Sequence, residues 1–194
     1  MTAALFTWIF LAVLALNVGL KYWLASRQVN YVQQRSDAVP EQFANQVSLE
    51  AHRKAASYTV AKQRLVMIET GCSAVLLLLL TLCGGLQLLC DVLGAWLGHG
   101  LLFQLALAAS VVLIVSLVDL PIEWHRQFRV EQAFGFNRMT PALFLADTVK
   151  SIGLSVAIGL PLLALVLTLM QGAGPYWLVY VWLRSASNAR MATR

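Results

Sequence analysis

The chain has 194 residues, of which 59% are hydrophobic and only 12% charged, and its mean hydropathy is +0.71. That balance excludes an ordinary soluble domain, and the length holds four or five membrane spans but no additional soluble catalytic domain of ordinary size. The net charge of +5 and the pI of about 9.4 come from dispersed juxtamembrane Lys and Arg, a pattern of topology and lipid head-group contact that makes nucleic acid a poor partner.

The first expected span is residues 3–23, uncharged until Lys21 and followed by Tyr22 and Trp23 at the depth where interfacial aromatics sit. A signal peptide fits it poorly, because no Lys or Arg precedes the apolar run and the run exceeds the usual signal core. The second span is residues 66–90, containing AVLLLLLTL, and the third is residues 101–119, joined by the short and nearly uncharged DVLGAWLGHG. The fourth, residues 151–170, carries Pro161 inside it, a break that neighbouring helices tolerate in lipid. A fifth run, PYWLVYVWL at residues 175–183, gives only about 14 Å of helix at 1.5 Å per residue against a core of about 30 Å. It reads either as an interfacial segment or as the opening half of a truncated span, with truncation favoured, and gives way to a polar basic tail at 184–194.

Seven Lys or Arg fall between Lys21 and Arg64, four between Asp119 and Lys150, and none in the intervening short links. The positive-inside rule therefore expects the two long connections in the cytoplasm and the N-terminus outside; the membrane expected is a bacterial inner membrane. The side of the tail stays open, since a cytoplasmic tail demands a fifth crossing that nine apolar residues do not make.

Within the first long connection, Pro40 suits the first residue of a short helix and Ser48 the N-cap of another. No Gly or Pro follows Leu49 until Gly71, so one helix is expected to project about 24 Å from the cytoplasm before entering the second span. In the second long connection Leu120, Trp124 and Phe128 recur at helical spacing, Gly135 suits a left-handed C-cap that Asn137 prolongs, and Thr140-Pro141 opens a fresh helix. A helix, a turn and a helix result. They are expected to pack on the extension of the second span, with Arg129 and Glu131 offering charges to His52 and Lys54 across the contact.

Two segments, SLEAHRKAASYTVAKQRL at residues 48–65 and FRVEQAFGFNRMTPALFLADTVKS at 128–151, together with the VP-x-x-F at 39–43, resemble the N-terminal membrane region of type I CAAX prenyl proteases, which are multi-span zinc metallopeptidases. The resemblance runs to residue 183, making 1–183 a single membrane domain. It implies an all-α, polytopic transmembrane helix bundle with cytoplasmic helical extensions, whose helices enclose a chamber. The activity it implies is proteolysis of C-terminal CAAX-type or membrane-associated proteins. The positions matching the family's motifs are His52, Arg53, Lys54, Tyr58, Arg129, Glu131, Phe134, Gly135, Phe136, Asn137 and Thr140, structural or chamber-lining in role. Gln132 stands where the family commonly has a second glutamate, which leaves any carboxylate role to Glu131.

The family's chemistry needs an HExxH helix, with two histidines one turn apart and a glutamate beside the first to hold zinc and activate its water. Only His52, His99 and His125 occur here, none spaced for one helical turn. No catalytic, cofactor or metal residue is therefore expected in this chain, and zinc belongs to the complete family enzyme. Cys72, Cys83 and Cys90 lack a CxxC spacing and read as packing residues, and no GxSxG or GxxxxGK[ST] occurs. Three functions remain, in order. The first is the noncatalytic, chamber-forming part of a protease whose zinc domain is missing or separate. The second is a stand-alone membrane scaffold descended from that family. A small transporter comes last, because Glu69, Asp91 and Asp119 sit at span ends rather than midplanes.

Overall fold

The computed structural model describes residues 2–39 and 46–173. They form five helices, α1 (Ala3–Gln34), α2 (Leu49–Thr81), α3 (Gly85–Leu97), α4 (Leu101–His125) and α5 (Pro141–Ala173), with a π-helical segment (Arg126–Glu131) continuing α4. The fold is all-α, with no strand among the described residues. Among the described residues four helices are long and apolar enough to cross a membrane: α1, α2, α4 with its continuation, and α5. Pro40 and its expected short helix, the rest of the VP-x-x-F stretch after Val39, the fifth run at 175–183 and the tail at 184–194 lie outside the described residues.

Among the described residues only Ala25, Val60, Leu65 and Ile122 are buried apolar groups, whereas Trp8, Leu102 and Val149 are each at least 67% exposed. For a soluble domain that would be an aggregation hazard. In lipid it is the ordinary outward face of a span, since hydrocarbon tails are as apolar as the side chains they meet.

The helices group into two compact units, Met1–Gln87 with Leu113–Met139, and Leu88–Val112 with Thr140–Arg194. In the first, α1 and α2 pack antiparallel. The pairing shows it: Gln63 donates to Gln28 at 2.7 Å and Tyr22 donates to the Met67 carbonyl at 2.7 Å, so ascending α1 means descending α2. Gly71 makes the approach possible, because a Cβ there would stand 2.8 Å from the Tyr22 hydroxyl. α1 runs well past residue 23 to Gln34 because neither Gly nor Pro intervenes between Gly19 and Pro40. Ser48 caps α2 as its sequence suggests, its hydroxyl accepting from the Ala51 N–H at 3.2 Å.

One expectation fails. The apolar run 66–90 is not a single helix: α2 stops at Thr81, where the Leu82 and Cys83 amides both converge on the Leu78 carbonyl, and Gly84 turns left-handed at φ +79°. A Cβ at Gly85 would meet the Leu79 carbonyl oxygen at 2.8 Å, so both glycines serve the turn. The stretch read as a link is then largely helical, α3 continuing to Leu97. In the second unit, Gln171 of α5 donates to Gln104 of α4 at 3.3 Å, and α5 runs unbroken through Pro161.

Candidate functional site

Of the residues that the family motif singles out, Tyr58, Glu131, Phe134 and Phe136 converge where the π-helical segment meets α2. Pro121 removes one backbone donor from α4, and one turn later the helix widens into π geometry over Arg126–Glu131. The chain then closes on a glycine C-cap: the Phe136 amide donates to the Glu131 carbonyl at 2.9 Å and the Gly135 amide to the Gln132 carbonyl at 3.1 Å, with Gly135 at φ +78°. Asn137 fixes the exit from this turn, its side-chain oxygen accepting from Gln127 at 2.7 Å and from the Met139 amide at 2.6 Å. Thr140 caps α5 by accepting from the Leu143 amide at 3.3 Å, and Pro141 takes the first helical position.

This turn delivers Glu131, Phe134 and Phe136 to one side chain of α2. The Tyr58 hydroxyl donates to Glu131 Oε1 at 2.7 Å, and its ring meets Phe134 and Phe136 edge-on at centroid distances of 5.3 and 5.1 Å. Tyr58 stands on the charged part of α2, ahead of the apolar stretch beyond Arg64. Its hydroxyl is held above its ordinary pKa, first by the bond it donates to the Glu131 carboxylate, then by burial and by that carboxylate's negative charge, with Arg126 opposing. One turn before Glu131 in the wide helix, Arg126 reaches both Glu69 of α2 at 2.7 Å and Glu123 at 2.6 Å. Half-buried and bridged twice, it fastens the two elements at a second point.

The expected cross-contact pairing of His52 and Lys54 with Arg129 and Glu131 does not form. His52 Nε2 instead donates to the Arg35 carbonyl at 3.0 Å, closing the end of α1 onto α2, while the Arg35 guanidinium lies 3.7 Å from the Tyr31 ring centroid. Arg53 pairs with Asp37 at 3.0 Å, both well exposed. The Lys54 ammonium is the nearest group to Gly135, 3.9 Å from where a Cβ would be. Arg129 is exposed and has no carboxylate within 4 Å among the described residues. Charge alone pointed to the wrong partners because the lysine and arginine stems reach water, whereas the tyrosine hydroxyl is carried by a ring that packs.

The described residues offer zinc no cluster of ligands. Among the described residues no group of three or more His, Cys, Asp or Glu could hold a metal ion. His52 Nε2 is engaged with a carbonyl, Glu131 with a tyrosine and Glu69 with an arginine. The arrangement does mechanical work, joining α2 to the π-helical segment through one charge bridge and one aromatic-carboxylate cluster.

Comparison with known proteins assigns this architecture. A family model described as CAAX prenyl protease N-terminal, five membrane helices, matches residues 28–188. The chain belongs to this family. The CAAX prenyl protease 1 homolog of Homo sapiens is 26% identical over 185 residues, covering 90% of this chain and 39% of that protein. The homolog of rice, Oryza sativa subsp. japonica, is 37% identical over 82 residues, 42% of this chain and 19% of that one. The crystal structure of S. mikatae Ste24p superposes with a TM-score of 0.79 at 22% identity, over 93% of this chain and 44% of its own, a likeness of fold. The chain thus spans between about a fifth and two-fifths of the length of these curated relatives. It is an integral membrane protein, and the family domain covers most of the chain, from residue 28 to 188.

Proposed function

We propose that this chain is the noncatalytic, chamber-forming membrane part of a CAAX prenyl protease-like zinc metalloendopeptidase, acting with a zinc-bearing part supplied by further sequence or by another polypeptide. One observation carries the reading: the N-terminal family domain matches over residues 28–188, while the sequence contains no HExxH. The substrates would be C-terminal CAAX-type or other membrane-associated proteins, and the role of Tyr58, Glu131 and Arg126 is to hold the wall on which a zinc domain sits.

The test uses the full chain in detergent. Alone it should hold no stoichiometric zinc and cleave no farnesylated peptide. Co-expressed with the HExxH-bearing half of a family protease, it should co-purify and restore cleavage that neither part has. One tightly held zinc per chain, lost on replacing His52 or His125, overturns the noncatalytic assignment. Failure of every zinc-bearing half to associate favours a stand-alone scaffold instead.

A further inference from the structure

Between α1 and α2 lies a cleft of about 480 Å³, lined by Leu14, Asn17, Lys21, Glu69, Ser73 and Leu77 among others. Its volume is that of a small-ligand pocket. Because the two helices are antiparallel, the lining residues order themselves along the cleft by chemistry. Lys21 and Glu69 stand at one end beside Val66, Asn17, Thr70 and Ser73 in the middle beside Val18, and only the apolar Leu14, Ala74 and Leu77 at the other end.

Its charged end lies at the edge of the apolar runs of both helices. Lys21 is the first charge in α1, and Glu69 is the last charge of α2, with none beyond it through Thr81. Beside them Tyr22 bonds to the Met67 carbonyl, and exposed Trp23 takes the Arg27 guanidinium 5.7 Å from its ring centroid. Aromatic and basic groups at one level mark the head-group depth of a bilayer. From there the cleft descends alongside increasingly apolar side chains.

We infer that this cleft is a binding site for a single glycerophospholipid, with the phosphate at Lys21, the ester region along Asn17, Thr70 and Ser73, and the start of an acyl chain against Leu14, Ala74 and Leu77. The gradient from charge through hydroxyl and amide to hydrocarbon is that of the lipid itself. Lys21 is exposed and has no carboxylate within 4 Å among the described residues, which leaves its ammonium for a phosphate. Arg126 takes Glu69 Oε2 at 2.7 Å, and the other oxygen, Oε1, has no hydrogen bond among the described residues, so it stays open to a donor at the same end. A cation and an anion that line the same end of the cleft without pairing with each other match a zwitterionic head group whose amine can donate hydrogen bonds, so phosphatidylethanolamine fits better than phosphatidylcholine, whose quaternary ammonium has no donor, or phosphatidylglycerol, which has no cation.

Native mass spectrometry of the full chain, delipidated in detergent and titrated separately with phosphatidylethanolamine, phosphatidylcholine and phosphatidylglycerol of identical chains, tests this. One phosphatidylethanolamine per chain should bind at least about tenfold tighter than either other lipid. Lys21→Gln should abolish that preference, and Ser73→Leu, which fills the middle of the cleft, should remove the bound lipid. Lys62→Gln, an exposed charge on α2 outside the cleft, should change neither. Lys21 is itself exposed, so its variant should keep wild-type helicity, checked by circular dichroism. Equal binding of the three lipids, preference for either of the others, full binding by Lys21→Gln, or a lipid-free dimer overturns the inference.

Discussion

Tyr58 is the side chain on which the site turns, and its two contributions separate by substitution. Tyr58→Phe keeps both edge-on ring contacts and removes only the bond to Glu131. Its cost should be about 1.5 kcal/mol, the lower end for a bond to a charged acceptor because the pair is only half-buried. Tyr58→Ala should lose more, each aromatic pair adding about 0.5–1.5 kcal/mol. The pH response has a definite sign. The folded state raises the Tyr58 pKa above 10.0, so the bond's stabilisation is full below about pH 10 and is lost as pH rises through the folded-state value. Denaturation in detergent at pH 8 and at higher alkaline pH should show this loss in the wild type beyond that in Tyr58→Phe; equal losses would remove Tyr58 from the account. Gly135 is a second sensitive residue, for its backbone alone. At φ +78° a Cβ meets nothing nearer than the flexible Lys54 ammonium at 3.9 Å, so the penalty of substitution is conformational. Gly135→Val should therefore cost about 1–2 kcal/mol or more and loosen protease resistance of this face, whereas Gly135→Asn, which tolerates the left-handed region, should be clearly milder.

Between elements, the α1–α2 contact offers a substitution whose effect should change sign with its partner. Gly71→Ala should gain up to about 1 kcal/mol of helix propensity in isolation. In the native background its Cβ would sit 2.8 Å from the Tyr22 hydroxyl and drive it off the Met67 carbonyl, giving a net loss. Removing that hydroxyl with Tyr22→Phe should turn the same Gly71→Ala change favourable; additive effects in a double-mutant cycle would refute the close approach. The cap at Ser48, the turn at Gly135 and the start at Thr140-Pro141 were all legible, because caps and turns are local and depend on residue types a few positions apart. The end of α2 was local too, marked by the Gly84-Gly85 pair, but hydropathy stays high on both sides of it and hides the break. The π-helical segment had no comparable signature, since no residue type within Arg126–Glu131 marks a wider turn. Nor was Tyr58–Glu131 legible, being 73 positions apart and joined only by the fold. Charge suggested Lys54 and His52 as partners, and the ring that packs won over the stems that reach water.

At the scale of the whole chain, the Tyr58–Glu131 bond limits the possible topologies. Ser57 and Gln132 are exposed neighbours of a bonded pair and must lie on the same side of the membrane. From Leu101 to His125 α4 spans about 37 Å at 1.5 Å per residue, more than the roughly 30 Å hydrocarbon core, so its two ends belong on opposite sides. By the positive-inside rule, the seven Lys or Arg between Lys21 and Arg64 and the four between Asp119 and Lys150 lead us to propose the cytoplasm as the side of Ser57 and Gln132. The probe for the other side is best placed at Gly100, which is exposed with no neighbour within 4 Å of a Cβ, in preference to Gly98, whose φ of +69° strains any side chain. With Cys72, Cys83 and Cys90 replaced by Ala, single cysteines at Ser57 and Gln132 should resist an impermeant maleimide added to intact cells and react once the membrane is opened, while one at Gly100 should react from outside. The reverse pattern would invert the orientation and leave the fold intact. Ser57 and Gln132 labelling from different sides would be more serious, because no membrane topology then allows Tyr58 to touch Glu131, and the contact between α2 and the π-helical segment would have to be abandoned.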